Sequence, residues 1–439
     1  MAQQDRPSKN NGILGTFRVL IFSLVIIIAF LGIALVNMTI SRAPEPVERV
    51  QVDALSQSKD SCVTCHRRVT PGIVHQYSHS TMALAEVTCR NCHEVSADYP
   101  GNVAHEGTWV LASPTPTMCA KCHASEVREF YQSRHAAPAY AAMKGVENFS
   151  PAQLAMYQSI PEGSYSPDKE RNDLYHIEGD AITRFACHGC HDIGKPHPDD
   201  SIGQCQKCHI RHDFSLEQAR KPETCNACHI GPDHPQWEIY IESPHGILYH
   251  TGGYKHNWDA EPGTLSVIDF PSPNCATCHM SGFGSSGTTH DVGDRLTWYL
   301  FSSVSERRPA WEDNKVRMQG VCRECHNQQW IEKFYEDADK ATEAVNAIVL
   351  ESRDVIAPLI EHRLLTDEPF DETIDFVFFN LWHHWGRTAK FGSWMQGPDY
   401  VQWHGAYEML HDLAHLREMT AEKLERAGIS HGTNQSGGN

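Results

Sequence analysis

"CQKCHIRHDFSLEQARKPETCNACHIGPDHPQWEIYIESPHG", Cys205 to Gly246, contains two Cys-x-x-Cys-His runs, Cys205–His209 and Cys225–His229. This is the attachment signature of a c-type haem: two thioethers hold the porphyrin edge, and the adjacent histidine ligates the iron. One such run would also suit a redox dithiol or half of a zinc site. The rest of the chain removes those alternatives. The sequence has 439 residues and 16 Cys. Every cysteine falls in a run of this kind: Cys62, Cys65 and His66; Cys89, Cys92 and His93; Cys119, Cys122 and His123; Cys187, Cys190 and His191; Cys205, Cys208 and His209; Cys225, Cys228 and His229; Cys275, Cys278 and His279; Cys322, Cys325 and His326. No cysteine is left for a disulfide, a zinc site or a free thiol. The chain therefore reads as carrying eight covalent haems c, numbered 1 to 8 in this order.

The composition agrees. Hydrophobic residues make up 40% of the chain, modest for one large core, and porphyrins supply the missing apolar volume. The formal net charge is −18, and haem propionates add to it. That excludes a nucleic-acid partner, which attracts basic surfaces, and it is compatible with a redox partner that is basic or membrane-bound.

Working outward, "VLIFSLVIIIAFLGIALV", Val19 to Val36, is an uncharged run of 18 residues preceded by Arg6, Lys9 and Arg18. As a helix it spans about 27 Å, near the thickness of a bilayer's hydrocarbon core. The basic side lies before it, so residues 1–42 read as a cytoplasmic tip and single-pass anchor, with the body in the periplasm. The alternative is a cleaved signal peptide; both readings export the body. Residues 43–60 read as a linker, 61–326 as the octahaem domain, 327–428 as a helical C-terminal domain and 429–439 as a disordered tail. Within 327–428, Ile331, Phe334, Ala338, Ala341, Val345 and Ile348 recur at helical spacing. The fold class is mainly α: eight haems packed in a helical and loop body, followed by a long-helix region, with few and short strands.

Six further histidines are candidate distal ligands. His79, His135 and His245 follow the haem histidines His66, His123 and His229 in similar local contexts; His105, His212 and His290 also follow haem motifs closely. Seven six-coordinate haems need seven distal ligands, and His188, His197 or His256 would supply the last. Catalysis needs one iron with an exchangeable position and proton-handling groups beside it. Asp233 and His234, between Pro232 and Pro235, suit that role, because a carboxylate beside an imidazole orients it and holds its proton. The plainer alternative is a capping Asp and an ordinary distal His.

The Cys205–Gly246 stretch, with "NCATCHMSGF…THDVGDRLTW" and "VCRECH" downstream, resembles the octahaem hydroxylamine oxidoreductase family from about Cys62 to about His415. The resemblance implies that haem 4, on Cys187, Cys190 and His191, is catalytic and lacks a distal protein ligand. It also implies that Asp233 and His234 face that open side and relay protons. Oxidative members carry a tyrosine from a neighbouring subunit cross-linked to the catalytic haem, which implies a homotrimer. Members without it tend toward reduction, such as nitrite to ammonium. Here the matching segment is "GPDYVQWHGAYEML". If it is helical, Tyr400, His404, Tyr407 and His411 share one face; Tyr400 is the first candidate and Tyr407 the second, and packing at a helix interface is the alternative for both. The expected function is a membrane-anchored oxidoreductase that oxidises hydroxylamine or hydrazine at haem 4 and passes electrons to a cytochrome or quinone-linked carrier. The rival readings are a nitrite or hydroxylamine reductase on the same fold and a non-catalytic electron-transfer cytochrome. The chain is shorter than the oxidative enzymes and has an anchor they do not need, so the direction of reaction stays open.

Overall fold

The computed structural model describes residues 22, 24–32, 60–160, 165–252 and 255–429. Two compact units are present, Met1–Asp60 and Ser61–Asn439. In the first, Phe22 and residues 24–32 are helical and exposed. The rest of the expected anchor, nearly all of the 43–60 linker and all but Ile429 of the tail lie outside the described residues. Among the described residues no helix is long and apolar enough to cross a membrane.

The second unit is mainly helical. Several haem motifs are themselves single helical turns, among them Cys89–His93, Cys187–His191 and Cys275–His279. A turn places the two cysteines, three residues apart, on one face with the histidine just beyond. Among the described residues the sheet has three short antiparallel strands, β1 (Glu94–Val95), β2 (Val103–His105) and β3 (Thr108–Val110), in the order β1-β3-β2. Its role is positional: β1 starts where His93 ends, and β2 ends on His105.

Eight helices position the site: α1 (Ala137–Lys144), α2 (Cys187–His191), α3 (Gln236–Glu242), α4 (Pro244–Thr251), α5 (Gln328–Glu361), α6 (Thr373–Phe379), α7 (Arg387–Met395) and α8 (Tyr407–Arg426). The start of α5 is capped by Asn327, whose side chain accepts from Trp330 N at 2.9 Å. Its buried positions are Ile331, Tyr335, Ala338, Thr342, Val345, Val349, Ser352, Ile356 and Leu359. They alternate steps of four and three, the seam of a heptad. Ile331, Ala338 and Val345 match the sequence expectation, whereas Phe334, Ala341 and Ile348 are half-buried at the flank. The seam packs on Met409, Leu413, Leu416 and Leu424 of α8, with Leu381 and Ala389 completing the cluster.

Two π-helical turns interrupt this region, Asn380–Gly386 between α6 and α7 and Gln402–Ala406 before α8. Such turns insert a residue and rotate the downstream side chains about the helix axis, often at functional sites. The second breaks the face expected for Tyr400 through His411 at His404, whose φ of −93° and ψ of 15° are not helical. Tyr400 stacks on His404 with centroids 5.0 Å apart, Tyr407 packs on Trp403 at 5.4 Å, and His411 turns to His415 at 4.3 Å.

Candidate haem cavity and catalytic site

One continuous cavity of about 2760 Å³ runs through the second unit. All sixteen cysteines and all eight motif histidines line it. The buried apolar residues fall into separate clusters, as expected if porphyrins supply the rest of the core. The donor set, the cysteine–histidine turns and the cavity all fit haem c.

Three of the motif histidines are oriented for metal binding. His191 Nδ1–H donates to Ala139 O on α1 at 2.6 Å, and His93 Nδ1–H donates to Leu111 O at 2.7 Å. A carbonyl only accepts, so each proton sits on Nδ1 and each Nε2 keeps its lone pair for an iron. The same logic applies to His229 Nδ1–H and Gln236 Oε1 at 3.2 Å. Gly194 permits the His191 contact: a side chain there would run into Ala136 O of the adjoining segment.

Five motif histidines face a second imidazole. The ring centroids are 6.0 Å apart for His66 and His105, 6.2 Å for His93 and His212, 6.4 Å for His209 and His290, 5.9 Å for His229 and His135, and 6.0 Å for His326 and His245. Two imidazoles sharing one ion through ~2 Å bonds have centroids about 6 Å apart, so each gap is the size of one iron. All five partners are candidates from sequence, and they cross between motifs: His135 faces the sixth motif, His290 the fifth. The sixth candidate, His79, is not brought to a motif histidine. It lies off the cavity, with Nδ1–H donating to His75 O at 2.7 Å. His188 Nε2 is engaged by Tyr175 Oη at 2.8 Å, His197 Nε2–H donates to Gly203 O at 2.8 Å, and His256 Nε2 lies 3.1 Å from Ser272 O. None of these three faces a motif histidine. Among the described residues, His123, His191 and His279 have no facing imidazole.

Only His191 of those three has the acid–base pair nearby. Asp233 and His234 line the cavity and act electrostatically on His191 and on Cys190 of the same motif. Gly231, with φ of +85°, and Pro232 make the turn that presents them. Thr388 Oγ1 on α7 then donates to Pro232 O at 3.0 Å and fixes the turn. Within the pair, His234 Nδ1 lies 2.6 Å from Asp233 Oδ2. Burial alone would raise the Asp233 carboxyl. The hydrogen bond and charge of His234, with His383 and Arg387 behind, outweigh it and hold the carboxyl at about 2.

Sequence reasoning missed the second wall of this site. Arg387 Nη1 lies 4.0 Å from Asp233 Oδ2, and the same atom donates to His383 Nε2 at 2.8 Å. Arg387 Nε–H donates to Phe301 O at 2.8 Å, and the Phe301 ring packs on His234 with centroids 5.0 Å apart. Lys390, fully buried, donates to Ser302 O and Ser305 Oγ at 2.8 Å each and ties that loop to α7. Burial pulls Arg387 down to about 10 and, with Arg387, pulls His383 down to about 2. The available signal was two adjacent histidines inside an apolar run with an arginine one turn on, "LWHHWGR".

Tyr400 and Tyr407 do not line the cavity of their own chain. The Tyr400 backbone N–H reaches Glu242 Oε1 on α3 at 3.5 Å, and Tyr407 is 49% exposed.

The motifs also approach one another. The sulfurs of Cys119 and Cys205, of Cys190 and Cys228, and of Cys225 and Cys275 lie close enough to act on one another. Cofactors on these sulfurs are therefore close neighbours: the third with the fifth, the fourth with the sixth and the sixth with the seventh.

Cysteine–histidine turns around a shared cavity, with paired imidazoles at iron spacing, define a multihaem c-type cytochrome. The chain belongs to the family described as "Seven times multi-haem cytochrome CxxCH", whose model matches residues 85–371. Seven of the eight motifs lie inside that match, and the one at Cys62 precedes it. It is a multihaem cytochrome related to hydroxylamine oxidoreductase-like and nitrite reductase-like proteins. A probable nitrite reductase–hydroxylamine oxidoreductase fusion protein of Kuenenia stuttgartiensis is 31% identical over 234 residues, 50% of this chain. The match spans 25% of the length of that relative. Among solved structures, a hypothetical multihaem protein matches with a TM-score of 0.72 and 21% identity, over 87% of this chain and 100% of its own. A reducing HAO-like protein complex of the same Kuenenia species matches with a TM-score of 0.62 and 19% identity, over 88% of this chain and 89% of its own. At these identities the two structures speak for the fold alone.

Proposed function

We propose that the protein is an octahaem redox enzyme of small nitrogen compounds, with its reaction centre at haem 4 on His191, and that reduction of nitrite or hydroxylamine is its main direction. The observation that carries this reading is the wall of Asp233, His234, His383 and Arg387 beside the one motif histidine that, among the described residues, lacks a facing imidazole yet has proton-handling neighbours. Haem supplies the electron chemistry and a position for the substrate nitrogen. The chain supplies the protons. Asp233 fixes the ring of His234, and His234 delivers or accepts a proton at the substrate. Arg387 places a buried positive charge on the same side, which suits an anionic substrate such as nitrite. Cys190 and Cys228 would hold haems 4 and 6 side by side, and Cys225 and Cys275 haems 6 and 7, so the haems on these motifs would supply a path for electrons to and from the site. The five facing pairs, taken as bis-histidine ligands, leave those haems as carriers.

The oxidative reading, hydroxylamine or hydrazine as electron donor, rests on Tyr400 arriving from a second copy, since Tyr400 lies off its own cavity. Peptide mass mapping of the holoprotein tests it: a Tyr400 or Tyr407 peptide joined to haem and a second chain supports oxidation in a homotrimer, and its absence removes that support. We place the body on the exported side, held by the Val19–Val36 run, with a cytochrome or quinone-linked carrier as redox partner.

The direct test is nitrite- or hydroxylamine-dependent oxidation of a reduced dye by the holoprotein. Wild type should turn over, and His234→Ala should lose most activity with every haem attached. Equal turnover in the variant, or none in wild type with either substrate, would sink the proposal.

A further inference from the structure

His383 has a proton whose position the geometry fixes. Arg387 Nη1 lies 2.8 Å from His383 Nε2. A guanidinium has no acceptor, so it donates and Nε2 receives. His383 is also kept neutral, since burial and the Arg387 charge pull it down to about 2. A neutral imidazole that accepts at Nε2 must carry its hydrogen on Nδ1. That Nδ1–H is buried and has no hydrogen-bond partner among the described residues. Buried donors without acceptors are rare in folded proteins and call for an explanation. The ring is held firmly: it stacks on Phe379 at 4.1 Å and 19°, and it sits in the π-helical turn Asn380–Gly386. His383 lines the cavity on the side of Asp233, His234 and Arg387.

We propose that His383 Nδ1–H, backed by Arg387, is a binding site for the oxygen of a nitrogen oxyanion such as nitrite held on the open side of haem 4. The proposal rests on haem 4 being the reaction centre and adds to it a substrate-recognition residue. The division of labour comes from the two tautomers. His234, tied to Asp233, handles protons. His383 is a fixed donor that does not titrate in the working range, so it recognises an acceptor and supplies no proton. Arg387 performs two tasks: its Nη1 locks the His383 tautomer, and its charge favours an anion. Asp233, 4.0 Å from that Nη1, balances part of the charge, so hydroxylamine is not repelled but gains less from the site than nitrite does.

The test uses the fully haem-loaded protein and three forms of it: wild type, His383→Ala and His383→Gln, the last retaining an N–H donor. Nitrite affinity of the oxidised protein and carbon monoxide affinity of the reduced protein are read by optical titration, and the carbon monoxide stretch by infrared. Removing a hydrogen bond to a charged group should weaken nitrite binding about tenfold or more, with much of it restored in His383→Gln. Carbon monoxide affinity should stay within about twofold in all three, because the neutral probe gains little from the donor, while its stretching frequency should rise in His383→Ala. Unchanged nitrite affinity and an unmoved stretch in His383→Ala overturn the proposal and leave haem 4 standing as the reaction centre. If wild type itself binds no carbon monoxide, haem 4 is not open and this inference fails with it.

Discussion

Replacing Asp233 with Asn separates an acid–base role for the pair from a purely structural one. In the folded protein the Asp233 carboxyl sits at about 2 against an ordinary 3.8. The shift corresponds to about 2 kcal/mol favouring the ionised, folded state. Its folded value lies below its unfolded one. The stabilisation is therefore fully present above about pH 4 and is lost as pH falls through about 2. Asp233→Asn should thus lower stability by about 2 kcal/mol at pH 7, and the difference from wild type should fade between about pH 4 and pH 2. Catalysis should suffer more than stability. The 2.6 Å contact with His234 fixes which ring nitrogen faces the substrate, and an Asn can turn its amide N–H toward that nitrogen instead. Loss of base orientation costs turnover about 10²- to 10⁴-fold. The assays are urea unfolding followed by circular dichroism at pH 7 and pH 3, and dye-linked turnover with nitrite and with hydroxylamine, on protein with unchanged haem content. Turnover within a factor of about three of wild type would refute the reasoning, whatever happened to the unfolding midpoint.

Three other substitutions probe the remaining parts. Lys390→Met should lower stability by about 2 kcal/mol, because Ser302 O and Ser305 Oγ lose their buried donor; the unfolding midpoint reads it directly. His245→Ala should open the haem on His326, adding one carbon monoxide-binding equivalent to the reduced protein; no change would remove His245 from the ligand set. Replacing Cys62 and Cys65 together with Ser should reduce the mass of the mature protein by one haem and leave the others attached, which tests the motif that precedes the family match.

The sequence spoke clearly wherever function is written in contiguous residues. Sixteen cysteines and their histidines are local patterns, and they all meet in one cavity. The distal candidates were legible in part. His105, His135, His212, His245 and His290 do face motif histidines, yet which one each faces depends on crossings between distant segments that no spacing encodes. His79 resembled His135 and His245 locally, but its segment ends off the cavity. The long helix was visible in its periodicity, although the buried seam takes Tyr335, Thr342 and Val349 in place of Phe334, Ala341 and Ile348 and so lies slightly round from the expected face. The least legible parts were the π-helical turns. One extra residue per turn rotates side chains without leaving a pattern in composition. That is why Tyr400 and Tyr407 do not share a face, and why no motif marks His383 and Arg387, which form a wall of the site. Asp233 and His234 stand out in the sequence because two prolines isolate them; their partners on α7 are more than 150 residues away and come into view only with the fold.

All of the proposed chemistry depends on haem 4 being open beside the Asp233–His234 pair. The most direct measurement is infrared spectroscopy of carbon monoxide bound to the reduced holoprotein, compared between wild type and His234→Ala. An open haem 4 predicts a carbon monoxide band in wild type whose frequency moves when His234 is removed, because that side chain adjoins the bound molecule. A protein that binds no carbon monoxide, or whose band is indifferent to His234, would contradict it.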